Sequence, residues 1–142
     1  MRPSRDEMLM DITRVVATRS TCQRAQVGAV IAREGRILTM GYNGAPAGMD
    51  HCDHYPGEYS QSSGCTRAVH AEANAVAYAA RYGIDVSNSV LFTTLSPCLS
   101  CSQLIVNSGV LRVVCLELYR DIIGVRLLTD AGLEVELVER DE

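Results

Sequence analysis

The sequence predicts a single α/β domain over residues 1–142, with a mixed five-stranded sheet and helices on both of its faces. Two observations predict this class. From residue 90 onwards, short runs rich in Val, Ile and Leu alternate with amphipathic segments, as in parallel strands joined by helices. Upstream, the apolar runs 27–32 and 36–40 are separated by a short segment containing Gly35, which indicates an antiparallel hairpin.

The individual elements follow from local patterns along the chain. Residues 6–18 carry apolar side chains at helical spacing, and Ser4 or Asp6 is suited to cap that helix. Residues 41–66 hold five of the eleven glycines and two of the four prolines, so we expect a long irregular loop of the kind that usually carries function. The remaining predicted elements are a helix at 67–81, a strand at 90–95, a helix at 98–108, a strand at 111–116, a helix at 122–131 and a strand at 133–138.

Composition narrows the classes of function. The formal net charge is −4, which argues against a polynucleotide partner because phosphate binding needs clustered Lys and Arg. No apolar run is long enough to span a membrane and the N-terminus is polar, so we expect a cytoplasmic protein that contacts no membrane. In a reducing compartment the six cysteines favour metal binding over disulfides, although Cys115 lies in an apolar run and is expected in the core.

Two short motifs carry the chemistry. Residues 70–72 read His-Ala-Glu, and residues 97–101 read Pro-Cys-Leu-Ser-Cys at the start of a predicted helix. A catalytic zinc takes three protein ligands and keeps one position open, and His70, Cys98 and Cys101 supply three. The three-residue spacing puts both cysteines on one helix face, and a helix N-terminus favours their thiolate forms. Alone, the first motif is usually an ordinary helix segment, and the second is also compatible with a redox pair or half of a structural zinc site.

Glu72 is the predicted acid–base residue. It lies two residues after His70, an offset that turns its side chain away from the histidine but keeps it beside the open position of the metal. A carboxylate there can move a proton from water to a leaving amine. The pair of motifs, in this order and at helix starts, is the signature of the zinc-dependent deaminases.

Over nearly its whole length the sequence resembles the deoxycytidylate (dCMP) deaminase family of the cytidine deaminase superfamily. The matching segments are residues 27–31, 41–48 (Gly-Tyr-Asn-Gly-Ala-Pro-Ala-Gly), 65–75 and 94–101. The resemblance implies a three-layer α/β/α cytidine deaminase-like fold and hydrolysis of dCMP to dUMP, which feeds thymidylate synthesis. It also implies a zinc ion held by His70, Cys98 and Cys101, with Glu72 as the acid–base residue.

The resemblance further implies a set of substrate contacts. Asn43 would hydrogen-bond the sugar hydroxyl, and backbone groups around Ala71 and Ser96 would contact the edge of the base. Tyr119 would contact the sugar-phosphate and Arg24 the 5′-phosphate. For the last two residues, the alternatives are a half-buried aromatic side chain and a solvated loop cation, respectively.

Regulation is the next implication. Members of this family are commonly hexamers that are activated by dCTP, with Mg²⁺, and inhibited by dTTP at a second nucleotide site. Asn74, Tyr78 and Arg81 share one face of the predicted helix, and the resemblance puts such residues, with the loop from Gly44 to Gly48, near the effector. The alternative is a helix face that contacts solvent or a neighbouring subunit.

A second, structural zinc is also implied for some members. Here Cys22, Cys52 and Cys65 flank the long loop, and three thiols with one imidazole would close a tetrahedral site. The stretch 53–58 lacks the further cysteine of many relatives, so we assign His54, in preference to His51, as the fourth ligand. Three free thiols are the alternative.

Other deaminases and a non-catalytic zinc-binding module are the alternatives to this function. The alternatives among deaminases are enzymes that act on cytidine, on guanine, on tRNA adenine or on single-stranded DNA. The acidic charge argues against the enzymes that edit polynucleotides, and the segment 41–44 argues against free nucleosides. A deaminase acting on dCTP, or on both dCMP and dCTP, is not separated by sequence. A non-catalytic zinc-binding module would require a closed four-ligand site and no effect of replacing Glu72.

Overall fold

The computed structural model describes residues 1–22, 25–50, 60–61, 64–65 and 68–138, and the side chains of 60–61 and 64–65 are not among the parts it describes. Its helices are α1 (Arg5–Ala17), α2 (Ala71–Tyr82), α3 (Leu99–Ser108) and α4 (Ile123–Asp130). Its strands are β1 (Gly28–Arg33), β2 (Arg36–Tyr42), β3 (Ser60–Gln61), β4 (Gly64–Cys65), β5 (Ser89–Leu95), β6 (Val110–Glu117) and β7 (Glu134–Leu137).

Five of these strands form one mixed sheet in the order β2-β1-β5-β6-β7. Strand β1 is antiparallel to both β2 and β5, whereas β5, β6 and β7 run parallel to one another. The predicted hairpin is therefore confirmed, and its turn consists of Glu34 and Gly35, with φ angles of 54° and 79°. Positive φ at both turn positions is what a two-residue hairpin loop requires.

Helices cover both faces of the sheet, as predicted. Alternate residues of each strand point to opposite faces, so Leu91 packs with α2, α3 and α4, whereas Phe92 packs with α1. The core on the three-helix side is built from Ile31, Ala75, Ala79, Val86, Leu91, Ile105, Val110, Val113, Cys115 and Leu128. The core under α1 is built from Leu9, Met10, Val16, Val30, Ala32, Phe92, Val114 and Leu116.

Ser4 is the residue that caps α1. Its hydroxyl accepts a hydrogen bond from the Glu7 amide at 3.1 Å, and the Glu7 carboxylate accepts one from the Ser4 amide at 3.4 Å. Such a reciprocal cap is worth about 1 kcal/mol. Asp6, the alternative cap from the sequence, instead pairs with Arg112 on β6 and ties the start of α1 to the sheet.

Two features differ from the sequence expectation. Helix α2 begins at Ala71 rather than at residue 67, because Val69 forms a β-bridge with Gly44 and is held in extended backbone. Strands β3 and β4 form a small antiparallel pair inside the segment expected to be irregular. The other elements match the prediction to within one or two residues, and none of the described helices is long and apolar enough to cross a membrane.

Candidate active site

The backbone around His70 is set by a bridge to the end of the first hairpin. The Gly44 amide donates to the Val69 carbonyl at 3.1 Å, and the Val69 amide donates to the Gly44 carbonyl at 2.7 Å. His70 itself is the N-cap of α2 with extended backbone angles, φ −69° and ψ 153°, and its side chain makes no cap hydrogen bond. The imidazole is therefore available at the helix N-terminus, at the edge of the sheet.

The first turn of α2 is seated directly on β2. Gly41 allows this close approach, since a Cβ at that position would lie 2.5 Å from the Ala71 carbonyl oxygen and 2.6 Å from the Ala75 nitrogen. The Asn74 amide group donates to the Tyr42 carbonyl at 2.8 Å, which anchors the same turn. The start of α2, and with it His70, has little freedom to move relative to the sheet.

The two cysteines lie at the N-terminus of α3, directly after the end of β5. Cys98 is the N-cap, with φ −71° and ψ 174°, and its carbonyl accepts the first helical hydrogen bond, from the Ser102 amide at 2.9 Å. Cys101 lies in the first helical turn and is 5% exposed, whereas Cys98 is only partly buried. Thus α2 and α3, whose first turns lie on the same face of the sheet, present one imidazole and two thiols.

The three candidate ligand atoms converge on a common point. Each cysteine Sγ lies 3.4 Å from the Nδ1 atom of His70, and all three ligand atoms lie within 4.8 Å of one another. Zinc–sulfur and zinc–nitrogen bonds of about 2.3 and 2.0 Å at a tetrahedral angle would separate sulfur from nitrogen by about 3.5 Å. The donor set therefore fits Zn²⁺, and among the residues that the structure describes it is the single His, Cys, Asp and Glu cluster of this kind.

The protons of this cluster are shared between the two thiols and the imidazole. A hydrogen bond from Cys101 and another from His70 lower the pKa of the Cys98 thiol. The same bond to Cys98 and burial raise the pKa of Cys101, and the hydrogen bond to Cys98 raises the pKa of His70. A metal ion that binds here must displace these protons, so its affinity rises with pH.

Glu72 lies beside this cluster in the first turn of α2 and is 4% exposed. Burial raises the pKa of its carboxyl group to about 7, against the opposing effects of a backbone hydrogen bond and of His70. A carboxyl group with a pKa near neutrality can both accept and return a proton at physiological pH. Interaction with the Cys101 side chain lowers the pKa of Glu72 in turn, so the carboxyl group is coupled electrostatically to the candidate metal ligands.

Ser96 and Tyr119 join the two loops that follow β5 and β6. The Ser96 hydroxyl, in a side chain that is 3% exposed, accepts a hydrogen bond from the Tyr119 amide at 2.6 Å. The Ser96 amide donates to the Glu117 carbonyl at 2.8 Å. Ser96 and Tyr119, both predicted to contact the substrate, are therefore joined by a hydrogen bond, and Ser96 lies two residues before Cys98.

Asn43 organises the loop between α1 and β1. Its side-chain oxygen accepts hydrogen bonds from the Val27 amide at 2.8 Å and from the Ser20 hydroxyl, and its amide nitrogen donates to the Ala25 carbonyl at 2.8 Å. An asparagine amide carries two N–H groups, so one donor has no partner within the part of the chain that the structure describes. Ser20 was not singled out from the sequence, because its role depends on contacts with a residue 23 positions away.

A cavity of about 380 Å³ opens where this loop meets the ends of β5 and β6. A volume of this size is within the range of small-molecule sites. Thr94 and Leu95 form part of its wall and lead directly into Ser96. The complete lining is Arg14, Ala17, Ala25, Gln26, Val27, Thr94, Leu95, Leu116 and Glu117.

The residues predicted to contact an effector are distributed over two environments. Asn74 and Gly44 contact the Tyr42 and Val69 backbone described above, next to the candidate metal ligands. Tyr78 and Arg81 lie on the exposed outer face of α2 with Tyr82, whose ring centroid is 4.6 Å from that of Tyr78 and 5.5 Å from the Arg81 guanidinium carbon. Tyr82 was missed from the sequence, although its four-residue spacing from Tyr78 was a usable signal.

Most of the residues predicted for the second zinc site lie outside the described residues. Of its residues, Cys22 is partly buried, and its amide donates to the Ser20 hydroxyl at 3.2 Å. Cys52, His54 and the side chain of Cys65 lie outside the described residues, as does Arg24. This site therefore stays a prediction.

The sequence matches one protein-family model and resembles the sequences of several known proteins. Residues 3–117 match the family model described as the cytidine and deoxycytidylate deaminase zinc-binding region. The deoxycytidylate deaminase of Mycobacterium phage D29 is 45% identical over 123 residues, which is 80% of this chain and 94% of that protein. ComE operon protein 2 of Bacillus subtilis is 35% identical over 99% of this chain and 75% of its own length.

Among solved structures, the dCMP deaminase of cyanophage S-TIM5, in complex with dCMP and dUMP, superposes with a TM-score of 0.85. It is 34% identical, and the match covers 97% of this chain and 99% of the cyanophage protein. A structure from a study of tRNA:A34 deaminases has a TM-score of 0.64 but only 16% identity, so it bears on the fold alone. The match to the family model spans both halves of the candidate metal site.

Proposed function

Because the chain belongs to the cytidine and deoxycytidylate deaminase family and is a deaminase of that family, we propose that its reaction is the hydrolysis of dCMP to dUMP. The observation that carries the proposal is the convergence of one imidazole nitrogen and two thiol sulfurs beside the buried carboxyl group of Glu72. Three ligands leave one coordination position open, which a closed structural site would not. The complex of the cyanophage relative with dCMP and dUMP supports this choice of substrate.

In this proposal His70, Cys98 and Cys101 hold the catalytic zinc. Zinc bound by such a set supplies Lewis acidity, which lowers the pKa of water at the open position to near neutrality. The first turn of α3 stabilises the two cysteines as ligands, because a helix N-terminus favours thiolates. The rest of the reaction depends on side chains of the chain itself.

Glu72 is the proton carrier in this proposal. Its carboxylate takes a proton from the attacking water, whose oxygen forms the new bond to C4 of the cytosine ring. The bond between C4 and the exocyclic amino nitrogen then breaks, and the proton returned by Glu72 leaves with the amino group as ammonia. The second proton of the water ends on ring nitrogen N3 as the C4 carbonyl of the uracil product forms. The near-neutral pKa that burial gives Glu72 suits a group that must both accept and donate this proton.

Substrate recognition is proposed for the loops that surround this cluster. The one amide N–H that Asn43 retains is suited to a sugar hydroxyl, and backbone groups near Ala71 and Ser96 are suited to the base edge. Tyr119, bonded to Ser96, is proposed to contact the sugar-phosphate, and Arg24 the 5′-phosphate.

The proposal also covers the regulation and the oligomeric assembly of the enzyme. We assign dCTP with Mg²⁺ as activator and dTTP as inhibitor of a cytoplasmic hexamer that supplies dUMP for thymidylate synthesis. Tyr78 and Arg81 lie on the exposed face of the helix whose first turn carries Glu72, so an effector there would act through α2. A structural zinc on Cys22, Cys52, Cys65 and His54 completes the proposed set of metals.

The test is an ultraviolet assay for loss of cytosine absorbance by the purified zinc-loaded protein. We expect turnover of dCMP, loss of turnover in Glu72→Ala, stimulation by dCTP with Mg²⁺ and inhibition by dTTP. Turnover of dCTP or cytidine in place of dCMP would retain the chemistry and refute the substrate. A zinc-bound protein that converts none of these compounds would favour the non-catalytic zinc module.

A further inference from the structure

Gly124, the second residue of α4, is buried against the loop that carries the first candidate zinc thiol. A Cβ at this position would overlap the Pro97 carbonyl oxygen and would lie 2.7 Å from both the carbonyl carbon and the carbonyl oxygen of Cys98. Ordinary van der Waals contact begins near 3.4 Å. Only glycine allows the first turn of α4 to approach the Pro97–Cys98 peptide this closely.

The atoms that Gly124 touches are backbone atoms of the candidate ligand residue Cys98 and of Pro97, which precedes it. They cannot rotate away as a flexible side chain would, so any added group must move either the Pro97–Cys98 segment or α4. Opening the 2.7 Å contacts to 3.4 Å shifts one of them by several tenths of an ångström, and relief of the overlap with the Pro97 carbonyl oxygen requires a larger shift. Metal–ligand distances tolerate only about 0.2 Å, so a shift of the Cys98 peptide would disturb coordination.

Helix α4 is held in place and has little room to retreat. The Asp121 carboxylate accepts a hydrogen bond from the Ile123 amide at 3.1 Å, which fixes the start of the helix. Leu128, one further turn along, is fully buried in the core with Ile105 of α3. A Cβ at position 124 is therefore expected to displace the loop rather than the helix.

We propose that Gly124 is a positioning residue of the metal centre, whose bare Cα lets α4 hold Cys98 at the ligand distance from His70. The inference rests on the metal role proposed above for Cys98. It extends the site to a helix that contributes no ligand, and it connects metal affinity to the packing of α4 on α3.

Gly28 provides a matched control for the same substitution. A Cβ there would overlap the Thr13 carbonyl oxygen and lie 2.6 Å from the Ala17 nitrogen, so β1 meets α1 as closely as α4 meets the cysteine loop. These contacts are on the opposite face of the sheet and involve no candidate ligand. Gly28→Ala therefore reproduces the steric cost without touching the metal loop.

The experiment measures transfer of zinc from the folded protein to a chromogenic chelator, together with the absorption spectrum of the cobalt-substituted protein. We expect Gly124→Ala to release zinc about tenfold faster than wild type or more, and to shift the sulfur-to-cobalt bands. Gly28→Ala should lower the melting temperature and yet release zinc at close to the wild-type rate. Equal release rates and unchanged cobalt bands in Gly124→Ala would overturn the proposal, as would equal loss of zinc in both variants.

Asp121→Ala is the second variant, for use if Gly124→Ala does not fold. It loosens the start of α4 from an exposed position, and we expect zinc release to accelerate in the same direction. Release at the wild-type rate from Asp121→Ala would overturn the proposal in that case. Failure of dCMP turnover by a wild-type protein that retains zinc would refute the proposed substrate and leave the role of Gly124 standing.

Discussion

Replacement of Glu72 by glutamine separates the acid–base role of this residue from its packing. Glutamine keeps the size of the side chain and its place in the first turn of α2, and removes one carboxylate. A positioned acid–base group contributes about 10²- to 10⁴-fold to a rate, so we expect kcat to fall by at least about 10²-fold. Zinc content should not change, because the group of candidate ligands does not include Glu72.

The same variant should change the stability of the metal-free protein in a pH-dependent way. Burial raises the pKa of Glu72 from 4.5 to about 7, so the folded chain binds this proton more tightly than the unfolded chain. Over that interval the folded state holds more protons, and the free energy of unfolding therefore decreases as pH rises. By pH 8 the cost is about 3 kcal/mol, and Glu72→Gln should avoid it.

The assay combines steady-state turnover of the zinc-loaded protein with urea unfolding of the metal-free protein at pH 4.5 and pH 8. Glu34→Gln is the matched control, since it removes one carboxylate from the exposed hairpin turn. We expect Glu72→Gln to gain stability relative to wild type mainly at pH 8. A kcat within tenfold of wild type, or a stability difference independent of pH, would refute the reasoning.

Three further predictions concern the metal, the pH dependence and the packing. Cys101→Ser should lose zinc, whereas Cys115→Ser should retain it. Burial raises the pKa of the Cys115 thiol to about 12, and Cys115 belongs to no cluster of candidate ligands among the described residues; zinc analysis of the two purified variants checks this. Glu136 Oε1 lies 3.0 Å from Nε of Arg112, and this partner lowers the pKa of the Glu136 carboxyl group. The ion pair therefore stabilises the fold at pH values above the pKa that Glu136 has in the unfolded chain. That stabilisation is lost as the pH falls through the lower pKa of the folded state. In Glu136→Gln the loss of stability on acidification should be smaller than in wild type, by a fraction of a kcal/mol because the pair is partly exposed, and urea midpoints at pH 3 and pH 7 measure it. Ser102→Ala should raise the free energy of unfolding by about 1 kcal/mol, since the buried Ser102 hydroxyl has no hydrogen-bond partner among the described residues; a melting temperature below that of wild type would contradict this.

The sheet and the His-Cys-Cys cluster were predictable because their signals are local. Hydrophobic alternation marks each strand, and the cysteines at 98 and 101 are one helical turn apart. The carboxyl group of Glu72 was predictable for the same reason, since its offset from His70 fixes its place on the first turn of α2. These features require only the geometry of a helix or a strand to be recognised.

The features that sequence did not predict depend on contacts between distant segments. Ser20 bonds to Asn43, and Gly124 touches the Cys98 peptide, yet neither residue differs in its local pattern from an ordinary loop serine or helix glycine. The late start of α2 has the same origin, because the bridge from Gly44 to Val69 competes with helix formation. Long-range packing, rather than propensity, decides each of these positions.

The central position of β5 has a consequence for the order in which the molecule assembles. Its residues pair with β1, as in Ala29 with Thr93, and with β6 on the other side, as in Thr93 with Cys115. The first of these pairings closes a loop of nearly half the protein's length, which is slow relative to local turns. The two cysteines are one helical turn apart, whereas we expect His70 to join them only after β5 has inserted. We therefore expect capture of a metal by all three candidate ligands to be a late event in folding, with zinc encountering the cysteine pair first.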